Sequence, residues 1–462
     1  MKFDFVAPVL YTEHDIRFYD RLAAELERLG CRVALIACTR QGHAALSANH
    51  PHVFYLYEGF DRRRQADPAE MRDIERRLGL VSITDLVYAE SCYPWGCPIE
   101  TMYGRAVHDV RFLEGFLERH EVALFLNNIG GEVIRRTMAR LADAGGPRNL
   151  IVDFAPIRGR LALTTSETSW DDLPARPPAL SPSERKLAED LVAHATGERK
   201  MFYGPSTLGL QPRNFLNFFR DAAKSLLDGE GSDVSIPALA RERAQRVVRR
   251  AFNTPLYQQP IPGDEYVFFP LHLGSDSAIT IRAPHYEDQE ALVEYLARRT
   301  LPTGTTLYVK PHVGARDAYA VPMMVRLRRM PGVRLIDPRV NSHDLIAGAR
   351  AMVVINSTVG FESLFHLKPV VVLGRVFYRG FGVTTDVDNP GDVGRLLRRA
   401  MEQPPDREAV LRFLHACHRA TSPGRFGDPS SENIERVAGA ILAKAARLRE
   451  AQAATSLGPD PS

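Results

Sequence analysis

The stretch AMVVINSTVGFESLFHLKPVVVLG, Ala351 to Gly374, decides the fold. An apolar run ends at Asn356, a small polar turn follows, a helix starts near Thr358, and a second apolar run, VVVLG, closes the stretch. Strand, helix and strand in this order form a crossover unit of a parallel sheet, because parallel neighbours need a long connection between them. The turn after Asn356 exposes backbone N–H groups at the positive end of the helix dipole, which suits an anion. Ser357 and Thr358 can cap the helix or touch a phosphate, Gly360 permits a close approach, and Glu362, one turn in, can reach a ligand hydroxyl. A capping box does not account for Glu362, since Val359 stands where that motif needs Ser or Thr. A plain cap beside a solvated Glu is the competing reading.

The same rhythm extends on both sides. YVFFPL, TTLYVKPH and VRLID precede the stretch as short apolar runs, separated by helical segments such as DQEALVEYLARRT and SHDLIAGAR. These elements predict a doubly wound sheet, and ligands of such sheets sit beyond the carboxyl ends of the strands. The strand exits therefore matter most. TLYVKPHVGARD offers Lys310, His312 and Arg316; FFPLHLGSDSAI offers His272, Ser275, Asp276 and Ser277; GRVFYRGFGVTTD offers Tyr378 and Gly382. Taken alone, KPH reads more simply as a solvated Lys and a surface His. Four polar exits converging on one sheet edge predict a nucleotide-sugar site.

The N-terminal half repeats the architecture. Phe3 to Leu10, then FYDRLAAELERLG, then CRVALIA form a strand-helix-strand opening, and VALFLNN, IRRTMARLADAGG and NLIVDF continue it. From about 165 to 262 the rhythm is lost between two Pro-rich pieces, LPARPPALSPSE and TPLYQQPIPGDE, with helices ERKLAEDLVAHA and ARERAQRVVRRAF between them. This predicts an N-terminal domain with a helical bridge over 1–262, a second domain over 263–403, C-terminal helices over 404–449 and a frayed tail over 450–462. Polar strand exits in the first half are Tyr11, Glu13, His14 and Arg17; Asn127, Asn128, Glu132, Arg135 and Arg136; and Asp153, Arg158 and Arg160.

Composition limits the function classes. The 462 residues are 45% apolar and 25% charged, which describes an ordinary globular chain. A net charge of +3 is too small for a polyanion coat, so no nucleic-acid partner is expected. Five scattered cysteines and no recognisable export signal point to a reducing cytoplasm. No window approaches the roughly 20 apolar residues of a membrane span, so any membrane contact is peripheral, at the inner membrane surface. Cys92 and Cys97 lack zinc spacing and a second ligand pair, and the DVD of Asp386 and Asp388 is a short chance-prone match, so no metal and no cofactor is expected. Neither GxGxxG after a first strand nor a Walker pattern occurs, which disfavours dinucleotide oxidoreductases and P-loop NTPases.

The second half, from about Tyr266 to Thr385, resembles bacterial capsule polysaccharide synthesis proteins, which include retaining β-Kdo transferases using CMP-Kdo. INSTVGFESLFHLKPVVVLG, VFYRGFGVT and FFPLHLGSDSAI are similar to that family's ordered segments, and KPHVG to its lysine and histidine motif. Val313 stands where Pro is usual and His272 where Gln is usual. The resemblance implies a GT-B architecture, two Rossmann-like doubly wound domains facing a central cleft. It implies a donor nucleotide on the second domain, with Lys310, His312, Asn356, Ser357 and Thr358 at its phosphate, Glu362 at its ribose, and His272 and Asp276 on the same side. A saccharide or glycolipid acceptor then falls to the first domain, where Asp153 is the expected catalytic carboxylate, Glu132 the second choice and His14 a base. Asn127, Asn128, Arg135 and Arg158 are its acceptor-side candidates, guanidinium groups being suited to carboxylated sugars. Capsule assembly proteins are further expected partners. Asp153 as a mere strand-end cap is the plain alternative. A CDP-glycerol-dependent glycerophosphotransferase and a noncatalytic sugar-binding protein are the competing functions; the latter would normally carry an export signal.

Overall fold

A computed structural model describes residues 1–61, 65–93, 99–199, 236–312 and 317–456. Strands β1 (Lys2–Val9), β2 (Val33–Ala37), β3 (Val53–Tyr55), β4 (Glu121–Asn127), β5 (Arg148–Phe154) and β6 (Arg160–Thr164) come first along the chain. Then follow β7 (Tyr266–Pro270), β8 (Thr306–Lys310), β9 (Val333–Leu335), β10 (Ala351–Val354), β11 (Val370–Val372), β12 (Thr385–Asp386) and β13 (Thr421–Pro423). They make two sheets, ordered β13-β6-β5-β4-β1-β2-β3 and β12-β11-β10-β7-β8-β9. All pairings in the second sheet are parallel. The first is parallel except at its edge, where β6 runs antiparallel to both β5 and β13.

Counted along the chain, both sheets read 3-2-1-4-5-6 across the first six strands. In that order the crossovers leave the first and fourth strands in opposite directions, so the helices diverge and open a crevice at the strand ends. The crevice lies at β1/β4 in one sheet and at β7/β10 in the other. Burial of the central strands follows from helices on both faces. On β1, Phe5, Ala7 and Val9 enter one core cluster while Phe3 and Val6 enter another on the opposite side. The second sheet packs Val267, Phe269, Leu307, Val309 and Val353 into a core of its own.

The domain boundaries differ from the sequence-based expectation. One compact unit draws on Met1–Ser91, residues up to Asp172 and the segment from Arg419 onward; the other runs from Leu173 to His418. The bridge helices belong to the second unit because Pro182–Glu198 packs on Thr358–Phe365, and Ile236–Asn253 packs on Val321–Arg329. The C-terminal helix returns to the first unit. Its Ile434, Val437, Ala438 and Ile441 join Phe18 and Leu22 of helix Glu13–Arg28 in one core. That helix runs from Ser431 to Ser456, so the chain is helical across 450–456 rather than frayed from 450. Helices Pro68–Leu78, Thr84–Ser91 and Ile99–Arg119 occupy a region where the sequence suggested no elements. Cys97, Val313, Arg316 and residues 457–462 lie outside the described residues.

Candidate functional site

The β7/β10 crevice gathers most of the residues expected to hold a donor. Past β7, the backbone of His272 is clamped by Gln289, whose Oε1 accepts its N–H at 2.7 Å and whose Nε2 donates to its carbonyl at 3.1 Å. The imidazole is buried and its Nε2 has no hydrogen-bond partner. Burial pushes its pKa down to about 4, against the opposing pull of Asp276. Asp276 caps the short helix Ser277–Thr280, accepting the Ala278 N–H at 2.8 Å. Past β10, Asn356 donates from Nδ2 to the Ala278 carbonyl at 2.5 Å and so ties the two strand exits together. Its buried Oδ1 is also unpartnered. Buried polar atoms without partners are rare in folded proteins, and two of them at one switch point mark a place built to receive something polar.

Beyond β8, the Lys310 ammonium is buried and donates to Ser342 Oγ at 2.9 Å. Burial draws its pKa down to about 8, although Glu362 and then Asp337 favour the charged form. Glu362 is pushed up to about 7 by burial, opposed by Lys310. Burial thus moves both groups toward their neutral forms, but Lys310 still carries its proton at pH 7, where Glu362 is near its midpoint. The His312 backbone N–H donates to Tyr319 Oη at 3.0 Å, and that hydroxyl donates on to the Leu271 carbonyl at 3.4 Å, which fixes the KPH turn against β7. Burial also lowers the pKa of the His312 ring, with Asp276 opposing.

The turn into helix Thr358–Phe365 is capped by Ser357, whose Oγ accepts the Val359 N–H at 3.2 Å. Thr358, half-buried, opens the helix. Gly360 does not serve ligand approach as its place in the motif suggested. A Cβ there would collide with the Tyr378 hydroxyl and come within 2.9 Å of Val354 Cγ2. Tyr378 is fully buried and donates to the Ser357 carbonyl at 2.6 Å, so the missing side chain makes room for the residue that pins the turn. The DVD carboxylates hold their own loop. Asp386 accepts from Gly380 N–H at 2.8 Å and Thr384 Oγ1 at 2.7 Å, while Asp388 takes Arg379 at 2.5 Å.

At the β1/β4 crevice, buried Asn127 donates to the Arg135 carbonyl at 3.2 Å and accepts the Asn128 N–H at 2.9 Å. Asn128 Oδ1 is buried and unpartnered. Glu132 precedes helix Val133–Asp143 without capping it through its side chain, and pairs with Arg135 at 3.0 Å. The cap comes from elsewhere. Glu90 Oε2 accepts the Val133 N–H at 2.8 Å, and Glu90 Oε1 pairs with buried Arg105 at 2.8 Å. Arg105 also donates to the hydroxyls of Tyr11 and Tyr57, each at 3.0 Å. Burial raises the Glu90 pKa, with Arg105 opposing. The helix start in this unit thus already holds an anion of the protein's own.

Sequence reading missed Glu90 and Arg105. They lie on helices Thr84–Ser91 and Ile99–Arg119, and their meeting depends on how those helices pack. Asp153 ends β5, one strand away from the crevice pair, and its Oδ1 accepts the Phe154 N–H at 2.9 Å, the local cap that was its plain alternative. Arg158 is exposed beyond the end of β5, and Arg160 is tied to Thr421 Oγ1 at 2.8 Å. His14 sits exposed in the first turn of helix Glu13–Arg28, close enough to Gly427 that a Cβ there would lie 2.9 Å from its Nε2. Arg17 pairs with Glu13 at 3.1 Å, and Arg136 pairs with Glu167.

Residues 239–410 match the family described as capsule polysaccharide biosynthesis protein. Protein FixF of Sinorhizobium fredii (strain NBRC 101917 / NGR234) is 27% identical over 268 residues, which cover 54% of this chain and 61% of that protein. The chain therefore spans about six-tenths of the length of this curated relative. Among solved structures, the β-Kdo 2,7 transferase KpsC of Thermosulfurimonas dismutans is 13% identical, with 95% of this chain and 99% of that chain covered and a TM-score of 0.36. The β-Kdo 2,4 transferase KpsC of the same organism is 17% identical, with 73% and 95% covered and a TM-score of 0.33. Likeness at those levels decides neither fold nor function. The family match spans every strand of the second sheet, so the similarity to capsule polysaccharide biosynthesis proteins lies in that part of the chain.

Proposed function

We propose that the protein is a glycosyltransferase of surface polysaccharide synthesis, moving an acidic sugar, Kdo, from its CMP-activated form to a saccharide or glycolipid acceptor. One observation carries the division of labour: the two switch points are not equivalent. In the first unit the helix start is filled by Glu90. In the second, the helix start is capped, among the described residues, by its own Ser357, and Lys310, Glu362, the unpartnered Nε2 of His272 and the unpartnered Oδ1 of Asn356 belong to the same set of strand exits. An incoming phosphate finds positive charge and open polar atoms in the second unit and a carboxylate in the first. That supports the donor nucleotide on the second unit and the acceptor on the first.

The chemistry follows from the leaving group. As the bond from the anomeric carbon to the CMP phosphate oxygen breaks, negative charge grows on the phosphate. Lys310 in its ammonium form and the Thr358–Phe365 helix start are suited to receive it. Glu362 is the residue proposed for the ribose hydroxyls, with His272, Asp276 and His312 along the same edge. For a retaining outcome, the Asp153 carboxylate attacks the anomeric carbon as CMP departs, giving a glycosyl ester on the protein. An acceptor hydroxyl then displaces Asp153, passing its proton to a base for which His14 and Glu132 are the candidates. This two-step course parallels the double displacement of retaining glycosidases. Asn127, Asn128, Arg135 and Arg158 are proposed for the acceptor.

Product analysis tests the reading. Incubation with CMP-Kdo and a surface-glycan acceptor should release CMP and yield a Kdo-extended product by mass spectrometry, and Asp153→Asn should abolish that product. Glycerophosphate transfer from CDP-glycerol, or saccharide binding with turnover of neither donor, would overturn it.

A further inference from the structure

Helix Ile236–Asn253 presents an apolar face to solvent. Ala240, Ala244, Val247, Val248, Ala251 and Phe252 are all exposed, Val248 by 51% and Phe252 by 62%. At about 100° per residue they fall within an arc of about 140°, with Arg241 the one charge among them. Surface helices normally turn such a face inward. Here the inward side is polar and firmly attached. Asn253 Nδ2 donates to the Tyr319 carbonyl at 3.0 Å, Arg249 donates to the Ala318 carbonyl at 3.3 Å, and buried Glu242 pairs with Arg246 and Arg249, each at 3.2 Å. The helix is fixed through its charged side and leaves its apolar side uncovered.

Of the five arginines on this helix, Arg246 and Arg249 pair with Glu242 on the inward side, while Arg241 lies within the apolar arc and Arg250 beside it. Among the described residues, Arg241 and Arg250 make no ion pair. An apolar arc bordered by unneutralised guanidinium groups matches a surface that is oily within and anionic at its rim. A protein partner or a second copy of this chain would have to supply the anions; a bilayer with acidic headgroups supplies both features at once. Among the described residues no helix is long and apolar enough to cross a membrane, so any contact of this kind is interfacial.

We infer that helix Ile236–Asn253 is a membrane-surface anchor, lying in the interface of an anionic lipid bilayer with Val247, Val248 and Phe252 among the acyl chains and Arg241 and Arg250 at the headgroups. The inference does not depend on the identity of the donor sugar. It is tested by co-sedimentation of the full chain with vesicles of phosphatidylcholine alone or mixed with phosphatidylglycerol. The native protein should pellet with the mixed vesicles and not with phosphatidylcholine, and less so as salt is raised. The exposed double substitution Val248→Asp/Phe252→Asp should cut the bound fraction at least tenfold, and Arg241→Glu/Arg250→Glu should remove the preference for the anionic lipid. Both variants should keep native nucleotide binding, which separates a failure of the anchor from a failure of the donor site. Native protein that stays in the supernatant overturns the anchor, as does a Val248→Asp/Phe252→Asp variant that pellets like the native chain. A native dimer that this substitution converts to monomer also overturns it, since the face would then join two copies.

Discussion

Lys310, at the end of β8, and Glu362, in the helix that follows β10, carry opposite charges, and burial draws both toward the neutral form, to about 8 and about 7. An exposed lysine loses its proton at about pH 10.4; burial brings this one down to about 8. If the ammonium is what meets the nucleotide phosphate, affinity is full below pH 8 and is lost as pH rises through that value. Deprotonation of Glu362 near 7 adds a negative charge and acts in the same direction. Calorimetric titration of CMP should therefore show affinity falling about tenfold between pH 7 and pH 9, the loss expected of a group titrating near 8. A flat profile would remove Lys310 from the phosphate. The place of these residues was legible because polar residues that follow a short apolar run mark the exits of a parallel sheet. The Glu90–Arg105 pair was not, because two helices must first pack before a carboxylate can reach the Val133 N–H.

The strand-helix-strand from Ala351 to Val372 formed as its apolar pattern required, yet its small residue had a different purpose from the one its motif suggested. Gly360 yields its side-chain space to Tyr378, eighteen positions further on, which no local spacing reveals. Gly360→Ala should therefore act through packing. It should destabilise the protein by about 1–3 kcal/mol, as overfilled cores do, seen as a lower Tm. The clashing atom is the Tyr378 hydroxyl. Combining Gly360→Ala with Tyr378→Phe should then cost less than the sum of the two single changes, the non-additivity of residues in contact. Strict additivity would show that the two do not compete for one space. The first unit solves the same problem differently, with Glu90 reaching in from another helix to cap Val133. Equivalent helix starts in the two sheets thus acquire different caps, a carboxylate in one and a serine hydroxyl in the other.

At the scale of the whole molecule, two doubly wound sheets were legible from rhythm alone, because buried parallel strands read as short apolar runs between helices, but their shared strand order was not. Which helix joins which sheet was not legible. Pro182–Glu198 and Ile236–Asn253 read as a bridge from the first half, and the C-terminal helices as a segment of their own, since periodicity marks an apolar face without naming its partner. The structure moves the two bridge helices to the second unit through packing on Thr358–Phe365 and Val321–Arg329, and joins the last helix to the first unit through Glu13–Arg28. The near-neutral chain hides its important charge in the same way: a net of +3 is compatible with one helix carrying five arginines and one crevice carrying Lys310. The central claim is that the second unit holds the nucleotide while the first supplies the attacking carboxylate. Calorimetric titration of CMP into the native protein, Lys310→Ala and Asp153→Asn tests it most directly. The account predicts binding to the native chain and to Asp153→Asn with equal affinity, and a loss of at least tenfold in Lys310→Ala. Equal affinity in Lys310→Ala, or a loss confined to Asp153→Asn, would contradict it.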